Sequence, residues 1–342
     1  MKKTAVVILN YNGKEFLERF LPKVLLYSRD VAEVWVADNC SDDGSVALLQ
    51  EQFPEVKLIV NPTNGGFAMG YNQALRQIKA DYYVLLNSDI EVTPNWITPV
   101  IDLMETDERI AACQPNIRAF HAKEKFEYAG ASGGFIDKYG YPFCRGRIFQ
   151  HLETDGGQYS DPIEVFWATG ACMFVRSEIY HQLDGLDDDF FAHMEEIDFC
   201  WRAKNLGYRI MVNPKSVVYH IGGGTLPKSS ARKTYLNFRN NFVLLYKNLP
   251  SNRLFKVFIA RLFLDGVAAV KFLAQGGFSD FIAVIKAHFY FYAHFTDLQQ
   301  KRKKLQQKKV GGIYNGNIAF DHYLWRKKKY SDLSPHQFSE FT

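Results

Sequence analysis

Short apolar runs alternate with segments of helical apolar spacing, and this alternation limits the fold of the chain more than any other feature. The apolar runs cover residues 6–9, 34–37, 57–60 and 83–86, and the helical segments cover residues 16–27, 45–53 and 69–78. Alternating β and α units of this kind build a mostly parallel sheet with helices on both faces. The sequence therefore predicts an α/β fold.

Each of the four predicted strands ends in polar or glycine residues. These ends are Asn10-Tyr11-Asn12-Gly13, Asp38-Asn39, residues 61–66 and Asn87-Ser88-Asp89. In parallel sheets, ligands bind beyond the carboxyl ends of the strands. We therefore expect the four ends to face one common site.

Two of these strand ends have residues suited to a nucleotide. The Asp38 carboxylate can accept hydrogen bonds from a ribose or a base, whereas Ser41 or Asp42 can cap the following helix. The adjacent Gly65 and Gly66 let backbone N–H groups face an anion at a helix start. A tight turn after the strand is the alternative interpretation of the glycine pair.

Asp89 and His220 have the chemistry of metal ligands. Hard divalent cations take oxygen ligands, commonly one or two carboxylates together with substrate phosphates, so Asp89 at a strand end suits Mg²⁺ or Mn²⁺. A turn-shaping role explains Asn87 and Asp89 equally well. His220 follows a strand-like run, and a neutral imidazole is both a common metal ligand and a common structural residue.

The acidic segment Glu195-Glu196-Ile197-Asp198 lies among aromatic residues. Apolar surroundings raise carboxylate pKa values towards neutrality, which suits a general base that takes a proton from a hydroxyl. The alternative is an acidic first turn favoured by the helix dipole, and the spacing of Asp198 and Arg202 fits that interpretation.

Taken in order, these motifs resemble those of glycosyltransferase family 2, the nucleotide-sugar-dependent enzymes of the GT-A fold, and especially its rhamnosyltransferase-like members. The match runs from Val6 to about Lys247 through Val-Val-Ile-Leu-Asn-Tyr-Asn-Gly, Val-Ala-Asp-Asn-Cys-Ser-Asp-Asp-Gly-Ser, Asn-Gly-Gly-Phe-Ala, Leu-Leu-Asn-Ser-Asp, Thr-Gly-Ala-Cys, Glu-Glu-Ile-Asp and Tyr-His. The resemblance implies a GT-A type α/β fold, Rossmann-like with a mostly parallel sheet, followed by a C-terminal helical extension.

The resemblance also implies a role for each motif. Nucleotide-sugar binding falls on Asn10, Tyr11, Asn12, Asp38, Asn64, Gly65, Gly66, Asn87 and Ser88; the divalent cation on Asp89 and His220; the acceptor on Trp167, Thr169 and Gly170; and the catalytic base on Glu196, with Glu195 beside it. Two positions depart from the family pattern, because Glu196 stands where the family has a catalytic Asp and Asn87 replaces the first acid of its metal motif. Trp167 can stack on a sugar or lie in the core.

The implied activity is an inverting transfer of a hexose from a UDP- or dTDP-sugar to a hydroxyl of a saccharide or lipid-linked saccharide, in cell-surface polysaccharide synthesis. The alternative is a non-catalytic nucleotide-sugar-binding protein whose chemistry was lost at Asn87 and Glu196. A dehydrogenase is disfavoured because no G-x-G-x-x-G follows the first predicted strand.

The sequence predicts a catalytic domain over residues 1–232, with a nucleotide-binding half at about 1–110 and an acceptor half at about 111–232, and a helical region over 233–342. Helical patterns in that region cover residues 233–249, 253–275 and 280–307. Their mixture of Phe, Leu, Lys and Arg fits docking on anionic lipid beside a polyprenol-linked acceptor, whereas a helical cap or a homodimer interface fits equally. Four charged residues within 254–274 argue against a membrane span.

Charge and cysteine content bear on location and partners. The net charge is +4, with basic clusters at residues 301–304 and 326–329, and we expect no nucleic-acid partner. The five cysteines are widely spaced without a C-x-x-C pair, which predicts neither a zinc site nor a disulfide framework. We therefore expect a cytoplasmic protein, with peripheral contact on the inner face of the cytoplasmic membrane as the open alternative.

Overall fold

The computed structural model describes residues 2–222 and 230–341. Its strands are β1 (Thr4–Asn10), β2 (Glu33–Asp38), β3 (Lys57–Val60), β4 (Tyr82–Asn87), β5 (Ile90–Val92), β6 (Ile110–Ala119), β7 (Ala122–Phe126), β8 (Gly134–Asp137), β9 (Pro142–Cys144), β10 (Arg147–Ile148), β11 (His151–Leu152), β12 (Ile163–Glu164), β13 (Cys172–Arg176), β14 (Arg209–His220) and β15 (Ile313–Tyr314). Its α-helices are α1 (Lys14–Ser28), α2 (Ser45–Gln52), α3 (Gly66–Leu75), α4 (Thr98–Glu105), α5 (Ser177–Gln182), α6 (Glu195–Asn205), α7 (Ala231–Asn248), α8 (Ser251–Ala274), α9 (Phe278–Ala293), α10 (Phe295–Lys303) and α11 (Ile318–Tyr323).

A ten-stranded mixed sheet forms the centre of the structure. Its order is β12-β14-β6-β13-β4-β1-β2-β3, with β5 beside β14 and β7 beside β6. The strands β3, β2, β1 and β4 run parallel, whereas β13 lies antiparallel between β4 and β6. The predicted α/β class and its four parallel strands are confirmed, and their carboxyl ends share one edge of the sheet.

The inner parallel strands β1 and β4 are buried on both faces, which explains their continuous apolar runs. Successive side chains of a strand point to opposite faces. Val6 and Val84 accordingly pack with Leu17 of α1 in one core, whereas Val7 and Leu85 pack in the other with α3 and α6.

The C-terminal region contains helices and also returns to the rest of the chain. The first two predicted helical patterns become α7 and α8, but the third is two helices, α9 and α10, that meet at His294. Strand β15 then pairs parallel with β8, in a second sheet of order β11-β10-β9-β8-β15. The helical extension is therefore completed by a strand and by a final segment that packs against residues 134–152.

Helix α7 joins this region to the acidic segment through buried charges. The Lys247 ammonium lies 2.5 Å from Asp187 and 2.9 Å from Asp198, and Arg202 Nε donates to Asp198 at 2.7 Å. Burial alone would raise the pKa of Asp198, but Lys247 and Arg202 lower it. The predicted structural role of Asp198 is thereby confirmed, and the proposed boundary at residue 232 lies at the start of a helix that packs on the acidic segment.

Substitution of Lys247 should destabilise the fold. Lys247→Met leaves Asp187 and Asp198 buried with one cation fewer, so we expect the free energy of unfolding to fall by about 3 kcal/mol. Urea unfolding measures the change. The exposed Lys303→Met is the matched control, for which a change within about 0.5 kcal/mol is expected. Equal stability of the two variants would contradict the structural role given to this network.

Candidate functional site

The ends of β1 and β2 meet in a buried polar cluster. Asn10 Nδ2 donates to Asp38 Oδ2 at 2.9 Å, and Ser41 donates to Asp38 from its backbone N–H at 2.8 Å and from its hydroxyl at 2.7 Å. Asn10 and Asp38 are fully buried. The Asp38 carboxylate therefore organises the loop after β2.

The segment after β1 offers a more accessible surface. The Asn12 side chain exchanges two hydrogen bonds with Asp42, at 2.8 and 2.9 Å, and Tyr11 is exposed beside it. A Cβ atom on Gly13 would lie 3.3 Å from Ser88 Oγ, so the end of β4 meets the end of β1 here. The exposed Tyr11 ring provides a flat face on which a base can stack.

Asparagine side chains hold the loop before α3 in place. Asn39 Nδ2 donates to the Gly66 carbonyl at 2.9 Å, Asn61 Nδ2 donates to Asn39 Oδ1 at 2.8 Å, and Asn64 Oδ1 accepts from the Gly66 N–H at 3.0 Å. Residues 61–66, which we call the donor loop, are thus tied to the end of β2. Asn39 and Asn61 lie in the polar strand ends expected to face the site, but no motif assigns an individual role to either.

Gly66 brings the donor loop onto the turn before α6. Its φ is +78°, and a Cβ atom there would lie 2.4 Å from the Phe191 carbonyl oxygen. The Phe67 N–H donates to the same oxygen at 2.6 Å. Because a side chain at this position would collide with backbone, only glycine permits this approach.

Asp89 and His220 are brought together by the pairing of β5 with β14. Asp89 Oδ1 lies 3.1 Å from His220 Nε2, and Glu127 Oε2 lies 3.1 Å from His220 Nδ1. Burial would lower the pKa of His220, but the two carboxylates raise it to about 10. Glu127, which follows β7 outside every motif, was missed by the sequence analysis.

The chemistry of this group fits a cation shared with a phosphate ligand. Within residues 2–222 and 230–341, no cluster of three or more His, Cys, Asp or Glu is arranged to hold a metal. Asp89 and His220 supply one oxygen and one nitrogen, and Glu127 faces the other ring nitrogen, as carboxylates commonly do beside metal-bound histidines. Mg²⁺ and Mn²⁺ can take further ligands from phosphates and water. The residues present therefore fit a partial protein ligand set.

Glu195 and Glu196 begin α6 in different environments. Glu195 is buried, and burial together with the neighbouring Glu196 raises its pKa well above the ordinary value. Glu196 is half-buried, and burial raises its pKa to about 7. Burial therefore favours the neutral form of both carboxyl groups.

Gly170 lies between Glu196 and the other parts of the site. A Cβ atom on Gly170 would be 3.0 Å from Phe67 Cζ and 3.7 Å from Glu196 Cβ. The next residue, Ala171, accepts a hydrogen bond from the Asn87 N–H at 3.0 Å. The end of β4, the start of α3 and the first turn of α6 therefore converge on Gly170.

The other two residues predicted to contact the acceptor have structural partners. Trp167 is only 4% exposed, its indole N–H donates to the Phe135 carbonyl at 2.9 Å, and its ring covers Gly134. The structure thus places Trp167 in the core, where it has no free face for a sugar. Thr169 is also buried, and its N–H donates to Gln114 Oε1 at 3.0 Å.

The turn before α6 is strained and is held from behind by α7. Phe191, His193 and Met194 all have φ between 61° and 73°, a region that costs non-glycine residues about 1–3 kcal/mol each. Asn240 Nδ2 lies 2.9, 2.9 and 2.7 Å from the carbonyl oxygens of Phe190, Ala192 and His193. Asn240 therefore satisfies the carbonyls of the turn that positions Glu196.

Comparison with known proteins places the chain in a family. The family model described as Glycosyl transferase family 2 matches residues 5–184, more than half of the chain. The N-acetylglucosaminyl-diphospho-decaprenol L-rhamnosyltransferase of Mycobacterium tuberculosis (strain CDC 1551 / Oshkosh) is 23% identical over 255 residues, which cover 70% of this chain and 83% of that protein. The resemblance to rhamnosyltransferase-like members is thereby confirmed.

Solved structures show the same fold. The mannosyltransferase PcManGT from Pyrobaculum calidifontis, in complex with GDP-Man and Mn²⁺, matches with a TM-score of 0.52 and 15% identity over 96% of this chain and 88% of that one. S. aureus TarS 1-349, in complex with UDP-GlcNAc, matches with a TM-score of 0.56 and 15% identity over 88% and 89%. These similarities confirm the predicted GT-A fold.

Replacement of Asn240 should loosen the turn that carries the acidic pair. Asn240→Leu keeps the branched shape of the side chain but removes the donor of the Ala192 and His193 carbonyls, whereas the Phe190 carbonyl keeps a bond from Arg239. We therefore expect a loss of about 2–4 kcal/mol in the free energy of unfolding. Amide hydrogen exchange should accelerate more at residues 190–196 than in the strands of the central sheet. Asn237→Leu, one turn earlier on α7, is the control. Unchanged exchange at 190–196 in Asn240→Leu would exclude this positioning role.

Proposed function

The chain belongs to glycosyl transferase family 2, and from this premise we propose that it is an inverting hexosyltransferase. Its donor would be a nucleotide-diphosphate sugar, UDP- or dTDP-linked, and its acceptor a hydroxyl of a saccharide or lipid-linked saccharide in cell-surface polysaccharide synthesis. The observation that supports this proposal most is the convergence of Glu196, the start of α3 and the end of β4 on Gly170. Family membership makes the chain a glycosyltransferase, whereas the donor, the acceptor and the stereochemical course are proposed.

The nucleotide sugar would lie along the carboxyl edge of the parallel strands. Tyr11 and Asn12 are accessible to a base, and Gly65 and Gly66 present the start of α3 to the diphosphate, where backbone N–H groups favour an anion. Asn10, Asp38 and Asn64 would shape this surface, and Asn87 and Ser88 would line it next to the sugar. The names of the similar proteins support a nucleotide-sugar donor and a polyprenol-linked acceptor.

Asp89 and His220 would hold a divalent cation, Mg²⁺ or Mn²⁺, together with the donor diphosphate. When bound, such a cation neutralises negative charge on the leaving diphosphate. Glu127 would fix the orientation of the His220 ring from its second nitrogen. The Mn²⁺ in the PcManGT complex supports this choice of ion.

Glu196 would act as the general base. It takes the proton of the acceptor hydroxyl, whose oxygen bonds to the anomeric carbon while the bond from that carbon to the diphosphate oxygen breaks, so the configuration inverts. A pKa of about 7 suits proton transfer near neutral pH. Glu195 is buried and burial raises its pKa, so we give it a supporting position beside the base.

Removal of the base should abolish transfer without loss of donor binding. For Glu196→Gln we expect turnover to fall by about 10²–10⁴-fold, with donor affinity close to that of the unaltered protein. In the unaltered protein, turnover should rise with pH through about 7, because only the ionised carboxylate accepts a proton. Nucleotide release at a series of pH values measures turnover in the variant and in the unaltered protein.

Glu195→Gln is the matched control, and its turnover should still rise with pH as that of the unaltered protein does. Undiminished turnover in Glu196→Gln would exclude Glu196 as the base. If the unaltered protein binds nucleotide sugars but transfers none of them to any saccharide acceptor, the non-catalytic alternative is correct.

A thermal-shift panel of nucleotide sugars, with and without Mn²⁺, tests the donor and the cation. A ligand at a hundred times its Kd stabilises the native state by about 2.7 kcal/mol, so the donor should raise the Tm, and Mn²⁺ should increase the shift. Asp89→Asn should lose the Mn²⁺ dependence, whereas the exposed Asp102→Asn should keep it. If no nucleotide sugar shifts the Tm with any divalent ion, the proposed donor class is wrong.

A further inference from the structure

Helix α8 presents an apolar face to solvent. Its outward side chains are 42–77% exposed, namely Phe255, Ile259, Leu262, Phe263, Val267, Val270 and Leu273. They recur at intervals of three or four residues and therefore share one side of the helix. Monomeric soluble proteins rarely expose a contiguous apolar surface of this length, and such surfaces mark sites of interaction.

Buried charges on the inner side fix this orientation. Arg261 and Asp265 are fully buried and paired at 3.0 Å, and His288 of α9 lies 3.1 Å from Asp265. Arg261 also donates to the Tyr139 carbonyl at 2.8 Å. If α8 rotated to bury its apolar side chains, it would lose these bonds. The buried bonds of Arg261 and Asp265 therefore fix the outward orientation of the apolar face.

Cations accompany the apolar side chains. Lys256 and Lys271 are exposed on α8, and the single acidic residue of the helix is the buried Asp265. Helix α9 continues the pattern with exposed Phe278, Phe289 and Tyr292 and with exposed Lys286, and its single acidic residue, Asp280, accepts a bond from Thr234. The surface is thus apolar and positively charged.

A second segment extends this surface beyond the end of α8. Lys271 Nζ lies 4.4 Å from the ring centre of Tyr323, the last residue of α11. Leu324 and Trp325 follow, 67% and 73% exposed, and lead into Arg326-Lys327-Lys328-Lys329. Tryptophan is typical of the boundary between lipid and water, and clustered Lys and Arg bind anionic headgroups.

We propose that the outward face of α8, extended by Leu324 and Trp325, docks on an anionic lipid bilayer. No helix in the described parts of the chain is long and apolar enough to cross a membrane, so the helix would lie in the plane of the interface, with apolar side chains inserted and lysines at the headgroups. A second copy of the chain suits this surface less well, because a two-fold contact would bring like-charged lysines together.

Membrane docking would bring the enzyme to its acceptor, since a polyprenol-linked acceptor is held in the bilayer. In this respect it rests on the proposed function. Binding to vesicles, however, is measured without donor or acceptor. If transfer activity is absent while vesicle binding is present, the proposed function fails and the docking surface stands. If the protein transfers sugar to a short water-soluble acceptor but does not bind vesicles, the docking surface fails and the proposed function stands.

The test is flotation of the full chain with vesicles of phosphatidylcholine, with and without phosphatidylglycerol. We expect binding to the anionic vesicles that weakens at high salt. Phe263→Glu combined with Val267→Glu should reduce binding at least about tenfold, because it places two anions in the inserted face. Lys256→Gln and Lys271→Gln should each reduce binding by about fivefold, which corresponds to about 1 kcal/mol per cation.

Leu26→Glu is the matched control. Leu26 is also exposed, at 51%, but it lies on α1, which packs against the central sheet. This variant should bind vesicles as the unaltered protein does, and circular dichroism and Tm should show that every variant is folded. The proposal is overturned if the unaltered protein does not float with anionic vesicles. It is also overturned if the protein is a dimer in solution that Phe263→Glu with Val267→Glu converts to a monomer.

Discussion

The approach of Gly66 to the Phe191 carbonyl is the contact on which the arrangement of the site depends. The donor loop comes from the parallel half of the sheet, whereas Phe191 precedes the helix that bears Glu196. Because the Phe67 N–H donates to the carbonyl oxygen that excludes a side chain at Gly66, the start of α3 and the turn before α6 form one unit. The donor loop and the turn that leads to Glu196 are thereby held together without an intervening side chain.

Three acidic residues of one short helix segment show how burial and neighbouring charge divide their roles. Burial raises the pKa values of Glu195 and Glu196, but Lys247 and Arg202 keep the pKa of Asp198 below its ordinary value. Two of them, Glu196 and Asp198, lie only two positions apart, so the difference comes from the cations beside Asp198, Arg202 on the same helix and Lys247 on α7. Helix α7 supplies Lys247 to Asp198 and Asn240 to the turn, and thus determines both the ionisation and the position of this segment.

The sequence predicts the local features well because these have a period or a fixed spacing. The four parallel strands, their polar ends and the i,i+4 pair of Asp198 and Arg202 were all predicted from neighbouring residues. Glu127, by contrast, reaches His220 from the position after β7, and Asn240 reaches the turn from a helix that the pattern assigns to the C-terminal helical region. The sequence leaves Trp167 open between sugar stacking and the core, because sequence alone cannot show that Gly134 lies beneath its ring.

Helix α8 illustrates a deeper limit of periodicity. Its apolar spacing predicts an amphipathic helix but not which side faces the protein, and the usual assumption turns the apolar side inward. Here Arg261, Asp265 and His288 occupy the inner side, while Phe242 of α7 packs on Phe258 and Phe291 at ring distances of 4.4 and 4.8 Å. Burying charged groups gains little stability over apolar packing. An arrangement that buries charged groups and exposes phenylalanine therefore supports the proposed docking, in which a lipid surface would withdraw the apolar side chains from water.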